Sequence, residues 1–195
     1  MISDFSDDRV EPESFWPAIF GDERPVEIEI GSGTGTFLLH IARERPQRNF
    51  YGIENARSRA RLVEELIARH GCTNARIIAA DAACLLRTFV PAESVAVFHV
   101  YFPDPWWKRR HYRRRLFNAE FARDLERTLI PGGHVHTATD VEEVFDLIRA
   151  TMRENGSFLE DDQVRPPRRT LTSFERKGIA RGAAIWEMSF RKRRV

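Results

Sequence analysis

The chain has 195 residues, 42% of them hydrophobic, which suits one α/β domain with its own core and excludes general disorder. No apolar run approaches the ~20 residues of a membrane span and none follows the pattern of a signal peptide, so we expect a cytoplasmic protein with no membrane contact. The formal charge of +2 is strongly segregated, because residues 1–29 carry nine acids against two bases and residues 165–195 carry ten bases against two acids.

The chain begins with an acidic segment. Residues 1–25 contain three prolines and an aromatic cluster, Phe15, Trp16 and Phe20, which predicts a loosely structured arm anchored by its aromatic side chains. We therefore divide the chain into this acidic N-terminal arm and a single domain, residues 26–195. The two cysteines of the chain have no metal-ligand spacing and are interpreted as reduced thiols.

Strands and helices alternate along the domain. Alternating apolar and acidic residues predict a first strand over Val26–Ile30. Short runs rich in apolar, β-branched and aromatic residues predict further strands over Asn49–Glu54, Ala75–Ala79, Val95–Tyr101, His134–Thr139 and Ala184–Phe190. Apolar residues at helical spacing predict helices from Phe37 to before Pro46, over Ala56–His70, from Phe117 through Leu129 to the turn Pro131-Gly132-Gly133, and from Val144 to Asn155. This alternation is typical of an α/β fold, a mostly parallel sheet with helices on both faces.

The ends of the predicted strands carry glycines and acids. The first strand runs into Gly31-Ser32-Gly33-Thr34-Gly35, and the next four end at or shortly before Glu54, Asp81, Asp104 and Asp140. An acid after a strand is also a common turn former, but ligands of parallel sheets bind beyond the carboxyl ends of the strands. The repeated placement therefore predicts one site along this edge of the sheet.

The glycine loop favours a particular class of cofactor. A dinucleotide fingerprint needs G-x-G-x-x-G, but this chain has G-x-G-x-G with Thr36 where the last glycine would stand. Glu29 would repel the phosphates of a dinucleotide and attract a cation. S-adenosylmethionine carries an ammonium and a sulfonium group and no phosphate, so we expect it as the cofactor, with Glu54 placed for its ribose hydroxyls and Asp81 for its adenine amino group.

The segment after the fourth strand has an unusual composition. Phe102-Pro103-Asp104-Pro105-Trp106-Trp107 precedes a run of six cations within residues 108–115. The prolines restrict the backbone on both sides of Asp104. Aromatic and cationic side chains suit stacked bases and phosphates, so we expect the run to contact RNA. Trp106 or Trp107 either stacks on a base or packs the loop against the sheet.

These motifs together resemble one family, the bacterial tRNA (guanine-N7-)-methyltransferases. The resemblance covers about residues 26–190 and rests on Glu29 to Gly35, Gly52-Ile53-Glu54, Phe102 to Trp106 with Lys108 and His111, Arg114-Arg115, Thr139-Asp140, and Thr172-Ser173-Phe174-Glu175. It implies a Rossmann-like methyltransferase fold and methyl transfer from S-adenosylmethionine to N7 of a guanosine in the variable loop of tRNA, with tRNA as the partner. Two features depart from the family: Ser173 replaces a frequent lysine, and the N-terminal arm is short and acidic.

The expected site residues come from the motifs and the resemblance together. The cofactor is assigned to the glycines Gly31, Gly33 and Gly35 and to the acids Glu29, Glu54, Asp81 and Asp104. The resemblance also gives Asp104 the catalytic role. The tRNA is assigned to Lys108, Arg109, Arg114, Asp140, Thr172, Ser173, Phe174 and Glu175, of which Arg109 and Arg114 come from the basic run. No metal site is expected, since His134 and His136 alternate on a strand without a third ligand.

The chemistry of the implied reaction is consistent with these residues. Guanine N7 already carries an in-plane lone pair, so its methylation needs alignment rather than a strong base. The ring becomes cationic, and a fixed carboxylate, Asp104, is expected to stabilise that charge. Thr139-Asp140 also fits a plain helix cap. Three other functions stay open, namely a small-molecule methyltransferase, a nicotinamide-dependent oxidoreductase and an RNA-binding protein without activity. An obligate protein partner is not expected.

Overall fold

A computed structural model describes residues 12–107, 109–167, 182 and 184–194. In that part of the chain the helices are α1 (Phe15–Phe20), α2 (Thr36–Glu44), α3 (Arg57–Arg69), α4 (Ala82–Thr88), α5 (Ala119–Thr128) and α6 (Glu142–Asn155). The strands are β1 (Val26–Ile30), β2 (Asn49–Glu54), β3 (Ala75–Ala79), β4 (Val95–Tyr101), β5 (Leu129–Thr139), β6 (Phe158–Glu160) and β7 (Trp186–Lys192). Short 3₁₀ helices cover Pro12–Ser14 and Arg109–Arg114.

The strands of the described residues form one seven-stranded sheet in the order β3-β2-β1-β4-β5-β7-β6. The pairs among β1 to β5 are parallel, and β7 runs antiparallel to both β5 and β6. Parallel neighbours need crossover connections, and the helices between them supply these. The predicted mostly parallel sheet is confirmed.

Two apolar layers hold the helices against the two faces of the sheet. On one face, α2 and α3 pack through a cluster of buried side chains that includes Leu38 and Val63. On the other face, a larger cluster joins α1, α4, α5 and α6 to the strands and includes Phe98 and Phe121. Burial of one such side chain stabilises a fold by about 1.5–3 kcal/mol. Helices cover both faces, as the alternation predicts.

Helix α1 belongs to the larger of these two clusters. Trp16 and Phe20 are buried, and their rings lie 5.4 and 6.4 Å from the ring of Tyr51 on β2. The aromatic side chains that are predicted to anchor the arm therefore do so, and they do so from a helix. Residues 1–11 lie outside the described residues. None of the described helices is long and apolar enough to cross a membrane.

Several elements differ from the sequence-based prediction. The sequence predicts no α4, because its seven residues are too few for a periodic apolar face to stand out. The helix predicted from Phe117 through Leu129 is too long at both ends, since α5 covers Ala119–Thr128 and β5 begins at Leu129. Gly132 and Gly133 lie inside β5 and do not form a turn before it, and the pairing register between β4 and β5 shifts beside them, between Val95 and Val97. Strand β7 lies two residues later than predicted.

Candidate active site

The loops after the parallel strands meet along one edge of the sheet. β1 lies between β2 and β4, so the glycine loop after β1 is flanked by Glu54 at the end of β2 and by the Asp104 loop after β4. The register agrees, since Ile30 pairs with Ile53 on one side and with Val100 on the other. The structure therefore brings these predicted residues to a common edge.

The glycine loop has a backbone that glycine adopts without strain. Gly31, Gly33 and Gly35 have φ values of 80°, 53° and 73°. Gly35 also marks a close approach, because a Cβ atom built there would lie 2.6 Å from Cγ1 of Val63 on α3. Close helix packing is the role of the third glycine in a dinucleotide fingerprint. Gly35 takes this role here, which allows Thr36 to begin α2.

Glu54 is held in a fixed position beside the glycine loop. Its Oε2 accepts a hydrogen bond from the N–H of Gly33 at 2.8 Å, and its Oε1 accepts one from the N–H of Ala56 at 2.9 Å. A guanidinium nitrogen of Arg59 lies 3.5 Å from Oε1. Each carboxylate oxygen can accept a second hydrogen bond. The buried Glu54 carboxylate therefore fits two neighbouring hydroxyls of a ribose.

Glu29 is a buried acid with an unsatisfied oxygen. The residue is 6% exposed, and its Oε2 has no hydrogen-bond partner among the described residues. Burial raises the pKa of the Glu29 carboxyl to about 7; the hydroxyl of Ser32 opposes the rise, and the charge of Glu54 adds to it. A buried carboxylate is costly unless a cation pairs with it. The arrangement fits a positively charged ligand such as an ammonium or a sulfonium.

Asp81 has a local role that the sequence does not reveal. Its Oδ1 accepts a hydrogen bond from the N–H of Cys84 at 2.9 Å, which caps the N-terminus of α4. The residue is exposed at the carboxyl edge, two residues after the end of β3. The cap fixes the direction of the carboxylate and is compatible with the predicted contact to adenine.

The Asp104 loop is strained and held at both ends. Phe102 and Trp106 have φ values of 51° and 46°, a left-handed region that costs a residue other than glycine about 1–3 kcal/mol. The N–H of Phe102 donates to the carbonyl of Ala138 at 2.7 Å. Nε of Arg115 donates to the carbonyl of Pro105 at 3.0 Å. Such a backbone persists only where its surroundings fix it, so the loop is preorganised.

An open cleft of about 310 Å³ lies at this loop. It is lined by Asp104, Pro105, Trp106, Trp107 and His111. Asp104 is exposed there, beside aromatic side chains. The loop thus presents one carboxylate at the mouth of a cleft with an aromatic wall.

The two tryptophans of the cleft have different environments. Trp106 is half-buried, with the guanidinium carbon of Arg114 5.1 Å from its ring centroid and the ring of His111 edge-on at 5.6 Å. Trp107 is 63% exposed. Of the two roles that the sequence leaves open, packing fits Trp106 and stacking on a base fits Trp107.

The basic run is divided between structural and exposed residues. Besides Pro105, Arg115 contacts Glu143 at 2.7 Å and lies over the ring of Tyr112 at 3.8 Å. Arg115 therefore supports the loop, whereas Arg110 and Arg114 are exposed. Several residues assigned to the tRNA lie outside the described part of the chain, and these are Lys108, the side chain of Arg109, and Thr172, Ser173, Phe174 and Glu175.

Asp140 lies at the same edge, directly after β5, and is half-buried. The helix-cap alternative does not apply to it, because the N-cap position of α6 is Val141 and no side chain caps that helix. The hydroxyl of Thr139 instead accepts a hydrogen bond from the N–H of Val141 at 3.2 Å. The structure thus places Asp140 where a substrate contact is predicted, without a capping role.

One buried polar cluster is missed by the sequence-based prediction. Nε2 of His99 lies 2.7 Å from Oε2 of Glu27, and its Nδ1 lies 3.0 Å from the hydroxyl of Tyr101. The ring of His136 lies 5.5 Å from that of His99, and burial together with nearby positive charges lowers the pKa of His136 to about 3. The sequence does carry a signal for this cluster, because polar residues are unusual inside strands that are buried on both faces. Among the described residues, no group of side chains is suited to hold a metal ion.

Comparison with protein sequences points to methyltransferases. Residues 23–188 match the model of a family described as "Putative methyltransferase". A tRNA (guanine-N(7)-)-methyltransferase of Aliivibrio fischeri (strain MJ11) is 37% identical over 190 residues, which cover 95% of this chain and 80% of that protein. A protein of the same name from Cupriavidus necator is 39% identical over 184 residues, which cover 91% of this chain and 70% of that protein.

Comparison with solved structures gives the same fold. The 16S rRNA methyltransferase KamB superposes with a TM-score of 0.66 at 17% identity, over 91% of this chain and 92% of that chain. The aminoglycoside resistance methyltransferase NpmB1 superposes with a TM-score of 0.63 at 18% identity, over 94% of both chains. At such identities the likeness bears on the fold alone, and that fold is the Rossmann-like fold of S-adenosylmethionine-dependent methyltransferases.

Proposed function

The chain belongs to the family of bacterial tRNA (guanine-N7-)-methyltransferases, and on that premise we propose that it methylates N7 of a guanosine in the variable loop of tRNA. The observation that carries the proposal is the placement of three carboxylates at one edge of the sheet, with Glu29 and Glu54 at the glycine loop and Asp104 in the neighbouring cleft. The reaction so proposed needs neither a metal ion nor an obligate protein partner. We place it in the cytoplasm, where tRNA is found.

The residues around the glycine loop fit S-adenosylmethionine. When bound, this cofactor supplies a methyl group attached to a sulfonium. Glu29 would hold a cationic part of it, because its buried oxygen has no partner among the described residues. Glu54 would accept the ribose hydroxyls and Asp81 the adenine amino group. A dinucleotide fits less well, since Glu29 would face its phosphates.

Asp104 acts in this proposal as an electrostatic aligner. Guanine N7 reacts through its in-plane lone pair, so no proton has to be removed before the bond forms. Methylation makes the guanine ring cationic, and a carboxylate fixed beside it stabilises the charge as it develops. Two acceptor oxygens also match the N1–H and N2–H donors of guanine, so Asp104 would select this base. The pinned loop holds the carboxylate in place without reorganisation.

The surface next to Asp104 is suited to RNA. Trp107 offers an exposed ring for a base, and stacking on an aromatic ring is worth about 1–3 kcal/mol per base. The exposed guanidinium groups of Arg110 and Arg114 lie on the same segment and would contact phosphates. Asp140 is proposed to contact the substrate from the end of β5. Lys108, Arg109 and the segment Thr172 to Glu175 keep their assignment to the tRNA as predictions.

The role of Asp104 is tested by the variant Asp104→Asn. We expect kcat to fall about a hundredfold, the size of effect seen when a preorganised group for transition-state charge is removed. The Kd for tRNA should stay close to wild type, because phosphate contacts dominate it. Asp146→Asn, on the exposed side of α6, is the control and should leave both values unchanged. Near-normal turnover of Asp104→Asn with unchanged tRNA binding would exclude the catalytic role.

A further inference from the structure

An aromatic contact joins the two halves of the proposed site. Tyr101 is the last residue of β4, and Asp104 follows three residues later. The ring of Tyr101 meets the ring of Phe37 edge-on, with centroids 5.0 Å apart. Phe37 is the second residue of α2, directly after the glycine loop. Tyr101 therefore connects β4, which leads into the Asp104 loop, with α2, which follows the glycine loop.

The hydroxyl of Tyr101 is held by a buried chain of polar groups. It lies 3.0 Å from Nδ1 of His99, which is 1% exposed. On the other side of the ring, Nε2 of His99 lies 2.7 Å from Oε2 of the fully buried Glu27. Phe37 packs against His99 as well, with ring centroids 4.9 Å apart. Three rings and one carboxylate thus form one packed unit next to both loops.

The negative charge of Glu27 determines which atom of His99 donates a hydrogen bond to it. Burial by itself raises the pKa of Glu27, but the hydrogen bond with His99 and the neighbouring positive charges lower it overall. Guanidinium nitrogens of Arg48 and Arg45 lie 3.0 and 3.6 Å from Oε1. An ionised carboxylate only accepts, so Nε2 of His99 donates to it whether the imidazole is neutral or charged. Nδ1 is thereby aimed at the hydroxyl of Tyr101.

Stability alone does not account for such a chain. Taking these groups out of water has a cost, and apolar side chains of similar volume commonly pack a core at least as well. Polar chains of this kind instead fix one arrangement of the groups they join. At the end of this chain, Tyr101 and Phe37 adjoin the Asp104 loop and the glycine loop.

We propose that Tyr101 is a positioning residue for methyl transfer, and that Glu27 and His99 act through it. His99 holds the hydroxyl, the ring of Tyr101 holds Phe37, and the start of α2 and the Asp104 loop consequently keep a fixed separation. The inference rests on the proposed function and adds to it residues that are assigned no contact with substrate or cofactor.

The variant Tyr101→Phe tests the proposal, because it keeps the ring and removes only the hydroxyl. We expect the KM for S-adenosylmethionine to rise about fivefold, the factor that corresponds to one net intramolecular hydrogen bond, while kcat changes less than twofold. The KM for tRNA should not change. Tyr51→Phe is the matched control, since Tyr51 is a buried tyrosine that packs with Trp16 in the other apolar layer. It should leave all three constants unchanged.

A second pair of variants separates positioning from folding. His99→Gln keeps a donor for Glu27 and an acceptor for Tyr101 and should melt close to wild type with part of the activity, whereas His99→Leu leaves the buried carboxylate without its donor and should lose more of both. Wild-type constants in Tyr101→Phe, or an equal change in Tyr51→Phe, would overturn the inference.

Calorimetry without tRNA distinguishes this failure from failure of the proposed function. Tyr101→Phe should raise the Kd for S-adenosylmethionine about fivefold even if the wild type methylated no tRNA, in which case only the proposed function would fall. If the wild type methylates tRNA and Tyr101→Phe binds S-adenosylmethionine with an unchanged Kd, the positioning role alone would be overturned. A wild type that bound no S-adenosylmethionine would overturn both.

Discussion

The substitution Glu29→Gln should make the protein without its cofactor more stable and its cofactor binding weaker. Glu29 is buried, its Oε2 lacks a partner among the described residues, and burial raises its pKa from an ordinary 4.5 to about 7. Glutamine has nearly the same shape and never ionises. The variant therefore removes the charge while it keeps the packing.

The expected magnitude follows from the raised pKa. A carboxyl whose pKa is higher in the folded state than in the unfolded chain stabilises the fold fully below pH 4.5, and this contribution is lost as the pH rises through 7. The rise from 4.5 to about 7 corresponds to about 3 kcal/mol. Above pH 7 the variant should thus gain up to about 3 kcal/mol in the free energy of unfolding, and below pH 4.5 it should match the wild type.

Cofactor binding should change in the opposite direction. A hydrogen bond to a charged group contributes about 1.5–3 kcal/mol, so Glu29→Gln should raise the Kd for S-adenosylmethionine roughly 10- to 100-fold at pH 8.5. The wild-type Kd should also increase as the pH falls through about 7, because the carboxylate becomes protonated. That pH dependence should be absent from the variant.

Urea unfolding at pH 5 and pH 8.5, with calorimetry at both values, measures these effects. Glu65→Gln is the control, because Glu65 is exposed on α3 and its contribution should stay within about 0.5 kcal/mol. A variant that is less stable than wild type at pH 8.5, or one that binds S-adenosylmethionine as tightly as wild type, would refute the reasoning.

Three further predictions concern the glycine loop, the two tryptophans of the cleft and the basic run. Gly35→Ala should lower the free energy of unfolding by about 2 kcal/mol, since its φ is 73° and the new Cβ would collide with α3; a loss below about 0.5 kcal/mol in urea would contradict this. Trp107→Ala should raise the KM for tRNA about tenfold at an unchanged melting temperature, whereas Trp106→Ala should lower the melting temperature. Arg114→Gln should reduce the salt slope of tRNA binding by about one, and Arg115→Gln should leave the slope unchanged and lower the melting temperature and kcat. Equal slopes in Arg114→Gln and wild type would remove that residue from the phosphate contacts.

The parallel core could be predicted because its signals are local. Strands β1 to β4 have the predicted bounds, since each is a short run of strand-forming residues between turn residues. The start of β5 could not be predicted, because Leu129 stands four residues after Leu125 and continues a helical pattern. Its pairing with Val95, 34 residues away, decides in favour of a strand. Local periodicity therefore predicted the wrong element where pairing with a distant strand outweighed the local helical pattern.

The candidate site could be predicted in outline and not in its contacts. Topology alone brings Glu54 and Asp104 to one edge, so strand ends were a sufficient signal. The support of the loop by Arg115 depends on Glu143, 28 residues further along the chain. The bond between Glu27 and His99 spans 72 residues. Such partners become visible only once the sheet is formed.

The central claim is that N7 of a guanosine in the variable loop of tRNA accepts the methyl group. The most direct measurement incubates the purified protein with labelled S-adenosylmethionine and an unmodified tRNA transcript, then identifies the labelled nucleoside and its position. We predict label in 7-methylguanosine within the variable loop, and no label in a transcript whose guanosines there are replaced by adenosine. Label on another atom or base, or transfer that persists in the substituted transcript, would contradict the account.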